Sequence, residues 1–202
     1  MSGMVLRGLP TSGRPIRLRP ESRQQATEQA PYTKGGKRRM LTGIAEIMIM
    51  AAYFLLLYAG VALIQDKRFF SSAPKENLAA IPDQKEERFR GARRLGGFLA
   101  AAAILVFIGA FGLAAWDGIR SGFRFRNFFA RFFIMLSVME LYDIIFFDWV
   151  LLCHSNFFPH FYPELKGIVG PQQFGYNKRA HIAHFVMYIP VSVAAAGLCM
   201  LF

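Results

Sequence analysis

Three acidic residues, Glu140, Asp143 and Asp148, lie in an otherwise apolar stretch, residues 128–152, which is long enough to cross a membrane. An ionised carboxylate near the centre of a bilayer costs roughly 2.5–3.5 kcal/mol on insertion scales, so such groups must be paired, protonated or hydrated. At ~100° per residue, the three acids and His154 fall within an arc of ~140° on one helix face. This polar face is the first candidate for a functional site.

The acidic face has two interpretations. Stacked carboxylates in a membrane can carry protons, bind a cation or pair with the ammonium group of a substrate. They can also fix the packing between helices by hydrogen bonding to polar side chains on other spans, namely Tyr53, Tyr58, Tyr188 and Ser192. Glu140, Asp143 and Asp148 are therefore a candidate ion, proton or packing site, and the first two lie deeper in the span.

The histidines form a second candidate cluster. His154, His181 and His184 lie in or beside the connection that follows the acidic stretch, and Asp148 lies near its start. His181 and His184 are three residues apart at the start of a helix and can present both imidazoles to one point. Imidazole and carboxylate together can bind zinc or iron, but an HxxH pair is common by chance and no HExxH motif occurs. We therefore predict an interfacial hydrogen-bonded cluster with no metal and no cofactor.

Alternating aromatic and basic residues precede the acidic stretch, in the segment FRFRNFFARFF at residues 123–133. Aromatic rings fit the boundary of the acyl chains, and guanidinium groups fit the phosphates of the headgroups. Arg124, Arg126 and Arg131 are therefore predicted to contact anionic lipid headgroups. Because this segment adjoins a span, we expect no nucleic-acid partner.

The elements that position these residues are apolar helices. Hydrophobic residues make up 54% of the 202-residue chain, which includes 21 Phe, too apolar a composition for an ordinary soluble domain. Four apolar runs, at about 41–63, 97–116, 128–152 and 181–202, predict an all-α polytopic membrane protein with four transmembrane helices in a small bundle. In the second run, the small residues Ala100 to Ala103, Gly109 and Gly112 favour close contact between helices.

The charge distribution suggests the layout around these spans. The chain has 24 Lys and Arg against 13 acidic residues, a net charge of +11, which in so apolar a protein indicates a headgroup surface. Residues 1–40 are basic and lack apolar periodicity, so they are predicted to be a disordered tail ahead of the membrane domain at 41–202. Counts of basic residues on the two faces do not decide the orientation, but the basic residues 34–39 beside the first span favour cytoplasmic termini.

Two functional hypotheses follow. No P-loop, GxSxG or CxxC motif occurs, so the first is a non-enzymatic membrane protein, transporter-like or an accessory subunit, with lipid and other membrane subunits as partners. The alternative is a membrane-embedded enzyme acting on a lipid-like substrate, with an Asp/His centre at one membrane face. Acids sealed between helices favour the first hypothesis. Asp148 and the histidines around one open pocket favour the second.

Overall fold

The computed structural model describes residues 40–70 and 73–202, and the predicted disordered tail, apart from Met40, lies outside this part of the chain. The described residues are mostly helical and contain no β-strand. An isolated antiparallel bridge joins Asp66 and Gln84. The all-α class predicted from the sequence is confirmed for these residues.

The helices follow one another in chain order as α1 (Met40–Ile64), α2 (Lys75–Ala80), α3 (Ala92–Arg120), α4 (Phe125–Tyr142), α5 (Phe157–Phe161) and α6 (Lys178–Cys199). The last turn of α1, Ala59–Ile64, has π-helical geometry. A longer π-helix, Asp143–Cys153, continues α4 without a break and is called the π segment below. Short 3₁₀ turns at Lys67–Phe70, Pro163–Leu165 and Pro171–Gln173 shape the connections.

Three of these helices are long and apolar enough to cross a membrane: α1, α3 and α6, with mean hydropathies of 2.4, 2.5 and 1.8. Large apolar side chains on α3 and α6 are exposed, as a lipid-facing surface requires; Leu105 is 71% and Val186 60% exposed. The acid-bearing helix is not among the three, because the 18 residues of α4 include Arg126, Arg131 and Glu140. Three candidate spans are thus established, and the fourth remains a proposal.

The helices differ from the apolar runs at their ends, and α6 is shifted rather than longer, since it ends at Cys199 instead of residue 202. The second run was predicted at 97–116, whereas α3 extends over Ala92–Arg120, and α6 begins at Lys178 instead of residue 181. Basic side chains are good helix formers, so helices continue past the apolar core into the polar flanks.

Small residues on α3 lie at contacts between helices, at some of the predicted positions: Ala100 and Ala103 are buried, whereas Gly109 and Gly112 make no close contact. A Cβ atom at Gly109 or Gly112 would meet nothing within 4 Å. A Cβ at Gly118, in contrast, would lie 2.3 Å from Cε1 of Phe128, so the ring of Phe128 rests directly on the backbone of α3. Close glycine contacts occur instead at Gly118, where α3 turns into α4, and at Gly96, which lies against the end of α1.

Two apolar cores hold the helices together. One joins α1, α3, α4 and α6 through small and large side chains that interlock: Ala45, Ile49, Ala110, Ala114, Phe128, Phe132, Met135 and Ala196. The other surrounds the π segment and the loops packed against it, and includes Val61, Phe70, Phe147, Leu152, Phe158, Tyr162 and Leu165. Helix α4 packs most extensively against α6, which brings the acids and the histidines of the two helices face to face.

The connection after α1 is fixed by local polar contacts. Gln65 ends α1 with a left-handed φ of 53°, and its N–H donates to the carbonyl of Gly60 at 2.8 Å. In the next turn, the guanidinium group and the backbone N–H of Arg68 both donate to the carboxylate of Asp66. These bonds, the side-chain bond most of all, lower the pKa of Asp66 to about 2. A polar turn therefore anchors the loop that covers one end of the bundle.

Candidate functional site

Glu140 is the centre of a polar cluster between α4 and α6. Its side chain is 3% exposed. Oε1 lies 2.7 Å from Nδ1 of His181 and 3.0 Å from Nδ1 of His184, and Oε2 accepts a hydrogen bond from the hydroxyl of Tyr188. The three partners are spaced three and seven residues along α6, so they share one helix face. The fold thus offers a buried carboxylate three partners from one neighbouring helix.

His181 joins two carboxylates. Its Nδ1 faces Glu140, and its Nε2 lies 2.9 Å from Oδ2 of Asp148. Oδ2 of Asp143 is 3.8 Å from the same Nδ1. A neutral imidazole has one N–H and one lone pair, so carboxylates at both ring nitrogens require a further proton or another positive charge beside the ring. The arrangement therefore favours a protonated imidazole or another positive charge beside the ring.

Asp143 links the cluster to α1, because the hydroxyl of Tyr53 donates to its Oδ1 at 3.3 Å. Among the described residues, the candidate acids Glu140, Asp143 and Asp148 thus come together around one imidazole. Tyr53 and Tyr188 were both among the packing partners named from the sequence, whereas Tyr58 and Ser192 make no hydrogen bond to the three acids.

The π segment explains how Asp143 and Asp148 reach the same imidazole. The two residues are five positions apart in the sequence. In a π-helix, backbone hydrogen bonds join residues i and i+5, so residues at this spacing lie one above the other on similar sides of the helix. In an α-helix, five residues correspond to ~140° of rotation from one face. The helix geometry therefore determines that both carboxylates point toward α6.

An apolar cavity of about 290 Å³ opens beside the cluster. Its polar end is formed by Asp143, Asp148, His181, His184 and Asn177, and its walls by apolar side chains that include Leu56, Leu57, Phe70, Phe147, Leu152 and Phe158. Glu140 does not line it and lies behind the two imidazoles. The cavity gives a small ligand or ion access to Asp148 and both histidines while Glu140 stays enclosed.

The loops over this cavity are joined by a pair of buried amides. Nδ2 of Asn77 donates to Oε1 of Gln173 at 3.2 Å, and Nε2 of Gln173 donates to Oδ1 of Asn77 at 2.7 Å. The two residues are 96 positions apart, and no sequence pattern relates them. This reciprocal bond holds the loop of α2 against the last 3₁₀ turn, and sequence reasoning missed it.

His154 does not join the other histidines. Its Nδ1 lies 2.7 Å from the carbonyl of Trp149, and its side chain is exposed at the end of the π segment. Of the cluster predicted from the sequence, the structure brings together His181, His184 and Asp148. His154 instead caps the carbonyl end of the helix that carries the acids.

The predicted headgroup arginines differ from one another. Arg124 and Arg126 are exposed at the start of α4, whereas the side chain of Arg131 is only 5% exposed. Nη1 of Arg131 lies 2.8 Å from a carboxylate oxygen of Asp117 and donates to the carbonyl of Ala114 at 2.7 Å. Arg131 has little surface left for a headgroup, because the acid near the end of α3 draws it inward.

No protein-family model, no curated protein and no solved structure matches this chain.

Proposed function

We propose that the protein is a four-span integral membrane protein, transporter-like or an accessory subunit, that binds protons or a cation in the cluster centred on His181. The observation that carries this proposal is the imidazole of His181 between the carboxylates of Glu140 and Asp148, at 2.7 and 2.9 Å. Three acids around two imidazoles attract positive charge, and burial away from water strengthens that attraction.

The fourth span in this proposal is α4 with the π segment. The 18 residues of α4 alone measure ~27 Å, and the π segment extends the helix beyond the ~30 Å of a hydrocarbon core. Two of its charged residues are buried against other helices: Arg131 pairs with Asp117, and Glu140 faces α6. Pairing of this kind offsets the insertion cost of each charge and supports the proposal that the helix crosses the membrane.

Access to the cluster favours ion or proton binding over packing alone. A carboxylate that serves only to join helices needs no opening to its surroundings. Here Asp148 and His181 line the cavity while Glu140 is enclosed behind them, so a cation entering from the cavity meets Asp148 and His181 first and Glu140 last. This order suits stepwise transfer from an accessible site to a buried one.

At the membrane surface, Arg124 and Arg126 contact anionic headgroups, and both termini lie in the cytoplasm in this proposal. The two arginines are exposed next to the first turn of the acid-bearing helix, where their side chains can extend along the helix toward phosphates.

Reconstitution into liposomes tests the proposal. With a pH-sensitive dye or, in parallel vesicles, a cation-sensitive dye inside, we expect an imposed potential to drive proton or cation flux through the wild-type protein and at least ten-fold less flux through Asp148→Asn. Asp83→Asn is the matched control, because the side chain of Asp83 is 96% exposed and far from the cluster in sequence. Equal flux through wild type and Asp148→Asn, or none through either, would refute the proposal.

The second candidate is the membrane-embedded enzyme. The observation that favours it is that Asp148, His181 and His184 converge on a largely apolar cavity, as in a site for a lipid-like substrate. Incubation of the protein with lipid extracts, followed by mass spectrometry, tests for turnover. Product formation that is lost in His184→Ala but kept in His160→Ala would support this candidate over the first.

A further inference from the structure

We propose that Glu140, His181 and His184 bind a divalent transition-metal ion of the zinc class, with the remaining coordination position directed at the cavity. This inference rests on the proposed function, because it names the cation that the cluster takes. The ligand atoms are Oε1 of Glu140 and Nδ1 of both histidines, which all lie within 4.8 Å of one another.

The spacing of these atoms is close to that of a metal site. Oε1 of Glu140 is 2.7 Å from one Nδ1 and 3.0 Å from the other. Ligands held at ~2.0–2.2 Å from zinc are roughly 3.0–3.5 Å apart, depending on the coordination geometry. To admit the ion, Oε1 of Glu140 and Nδ1 of His181 must move apart by a few tenths of an ångström, and side-chain rotation of the half-exposed His184 can adjust the position of the third ligand atom.

The contacts around the three ligands are those that orient metal-binding side chains. Nε2 of His181 faces Oδ2 of Asp148 at 2.9 Å, so an N–H on Nε2 donates to Asp148 and leaves the lone pair of Nδ1 for a metal. The other oxygen of Glu140 accepts the hydroxyl of Tyr188, which fixes the plane of the carboxylate. Both bonds leave the three ligand atoms free, and both fix the orientation of the side chains that carry them.

A bound metal would also explain how His181 can face two carboxylates without carrying an extra proton. Without it, His181 needs protons on both nitrogens, or a protonated carboxylic acid on one side, to satisfy Glu140 and Asp148. With an ion bound to Nδ1, two neutral imidazoles satisfy every contact. The two positive charges of the ion are balanced by Glu140 and Asp148, and Asp143, 3.8 Å from Nδ1 of His181, can provide a further carboxylate.

The donor set selects the class of metal. Two imidazole nitrogens and one carboxylate oxygen suit zinc, iron(II), cobalt(II) or nickel(II) and disfavour calcium and magnesium, which prefer oxygen ligands alone. Three protein ligands leave a position for water or a substrate. Because both histidines line the cavity, that position opens toward its apolar walls.

Metal analysis of the full chain tests this inference. Protein purified without a histidine tag is treated with chelator, equilibrated with Zn²⁺ at micromolar free concentration and analysed for bound zinc, while Co²⁺ provides an absorption spectrum sensitive to nitrogen ligands. We expect about one zinc per chain in wild type and in His160→Ala, whose imidazole is exposed and outside the cluster, and at least 100-fold weaker binding in His184→Ala. Asp148→Asn, which removes no ligand but takes away one balancing charge and the carboxylate that orients His181, should weaken binding about 10–100-fold.

The results separate this inference from the proposed function. The metal site is overturned if the wild-type protein binds no stoichiometric zinc and gives no cobalt spectrum, and this result does not depend on whether the variants fold. It is also overturned if His184→Ala folds and binds zinc as tightly as the wild type does. Proton flux without zinc binding leaves the proposed function in place and removes the metal. Zinc binding without any flux in liposomes leaves the metal site in place and removes transport through the cluster.

Discussion

Removal of the Tyr188 hydroxyl tests how much hydrogen bonding in the buried cluster contributes to stability. Tyr188→Phe removes one oxygen and leaves the ring, which lies 6.3 Å from the ring of His184 and 6.1 Å from that of Phe185. Packing is therefore retained, and the change in stability reports the bond from Tyr188 to Oε2 of Glu140.

The expected magnitude follows from the charge of the acceptor. Hydrogen bonds between helices in membranes average ~0.6 kcal/mol and reach ~1.7 kcal/mol, whereas bonds to charged groups in proteins contribute ~1.5–3 kcal/mol. Glu140 is 3% exposed and can accept through both oxygens, so we expect Tyr188→Phe to lower the free energy of unfolding by ~1.5 kcal/mol, about ten-fold in the equilibrium constant. In a Glu140→Gln background the acceptor is neutral, and the loss should fall to ~0.6 kcal/mol.

The assay is reversible unfolding in mixed micelles with metal removed, followed by the fluorescence of Trp116 and Trp149. The four proteins of the double-mutant cycle should show a coupling energy of about 1 kcal/mol. Tyr176→Phe is the matched control, because Tyr176 is 49% exposed and its change should stay within ~0.5 kcal/mol. Effects of the two substitutions that add to within ~0.3 kcal/mol would refute a bond between Tyr188 and a charged Glu140.

Three further predictions concern the rest of the chain. Gly118→Ala places a Cβ 2.3 Å from Phe128 and should cost ~1–3 kcal/mol of unfolding free energy, whereas Gly112→Ala, in open space, should be neutral or stabilise by up to ~1 kcal/mol; thermal unfolding compares them. The pKa of Asp66, about 2, lies below the usual ~3.9, so the contribution of its bonds to Arg68 should be complete above pH ~4 and lost as pH falls through 2; Arg68→Gln should raise this pKa in an NMR titration of the carboxyl carbon. Four spans require both chain ends on one side of the membrane, and reporter fusions that disagree would contradict that topology.

The helices could be predicted from the sequence because hydrophobic length is a direct signal. The apolar runs at 41–63, 97–116 and 181–202 correspond to α1, α3 and α6, although each helix differs from its run at one or both ends. Hydropathy has no information on where a helix ends in a polar flank, since Lys and Arg continue helices well. The acidic run at 128–152 is helical too, but its charges keep it from being identified as a span by composition alone.

The candidate site was only partly predictable. Acids on one helix and histidines on the next, joined by one connection, predict that the two sets meet, and the structure brings Glu140, Asp148, His181 and His184 together. Which groups pair depends on helix rotation and on side-chain rotamers, which a pattern of residue types does not contain. Helical periodicity predicted that His154 lies on the same face as the acids. In the structure it lies past the end of the helix, and its imidazole bonds to a backbone carbonyl.

The π geometry of Asp143–Cys153 also has a consequence for insertions and deletions. The five-residue step between Asp143 and Asp148 fits a π turn, whereas a four-residue step fits an α turn. Deletion of Ile145 would shorten the step to four, so the chain could return to α geometry and keep both carboxylates on the same side. A deletion in the preceding α4 would instead rotate every later residue by ~100° and separate the acids from α6. The acid-bearing helix should therefore tolerate a lost residue within this stretch better than in its regular part.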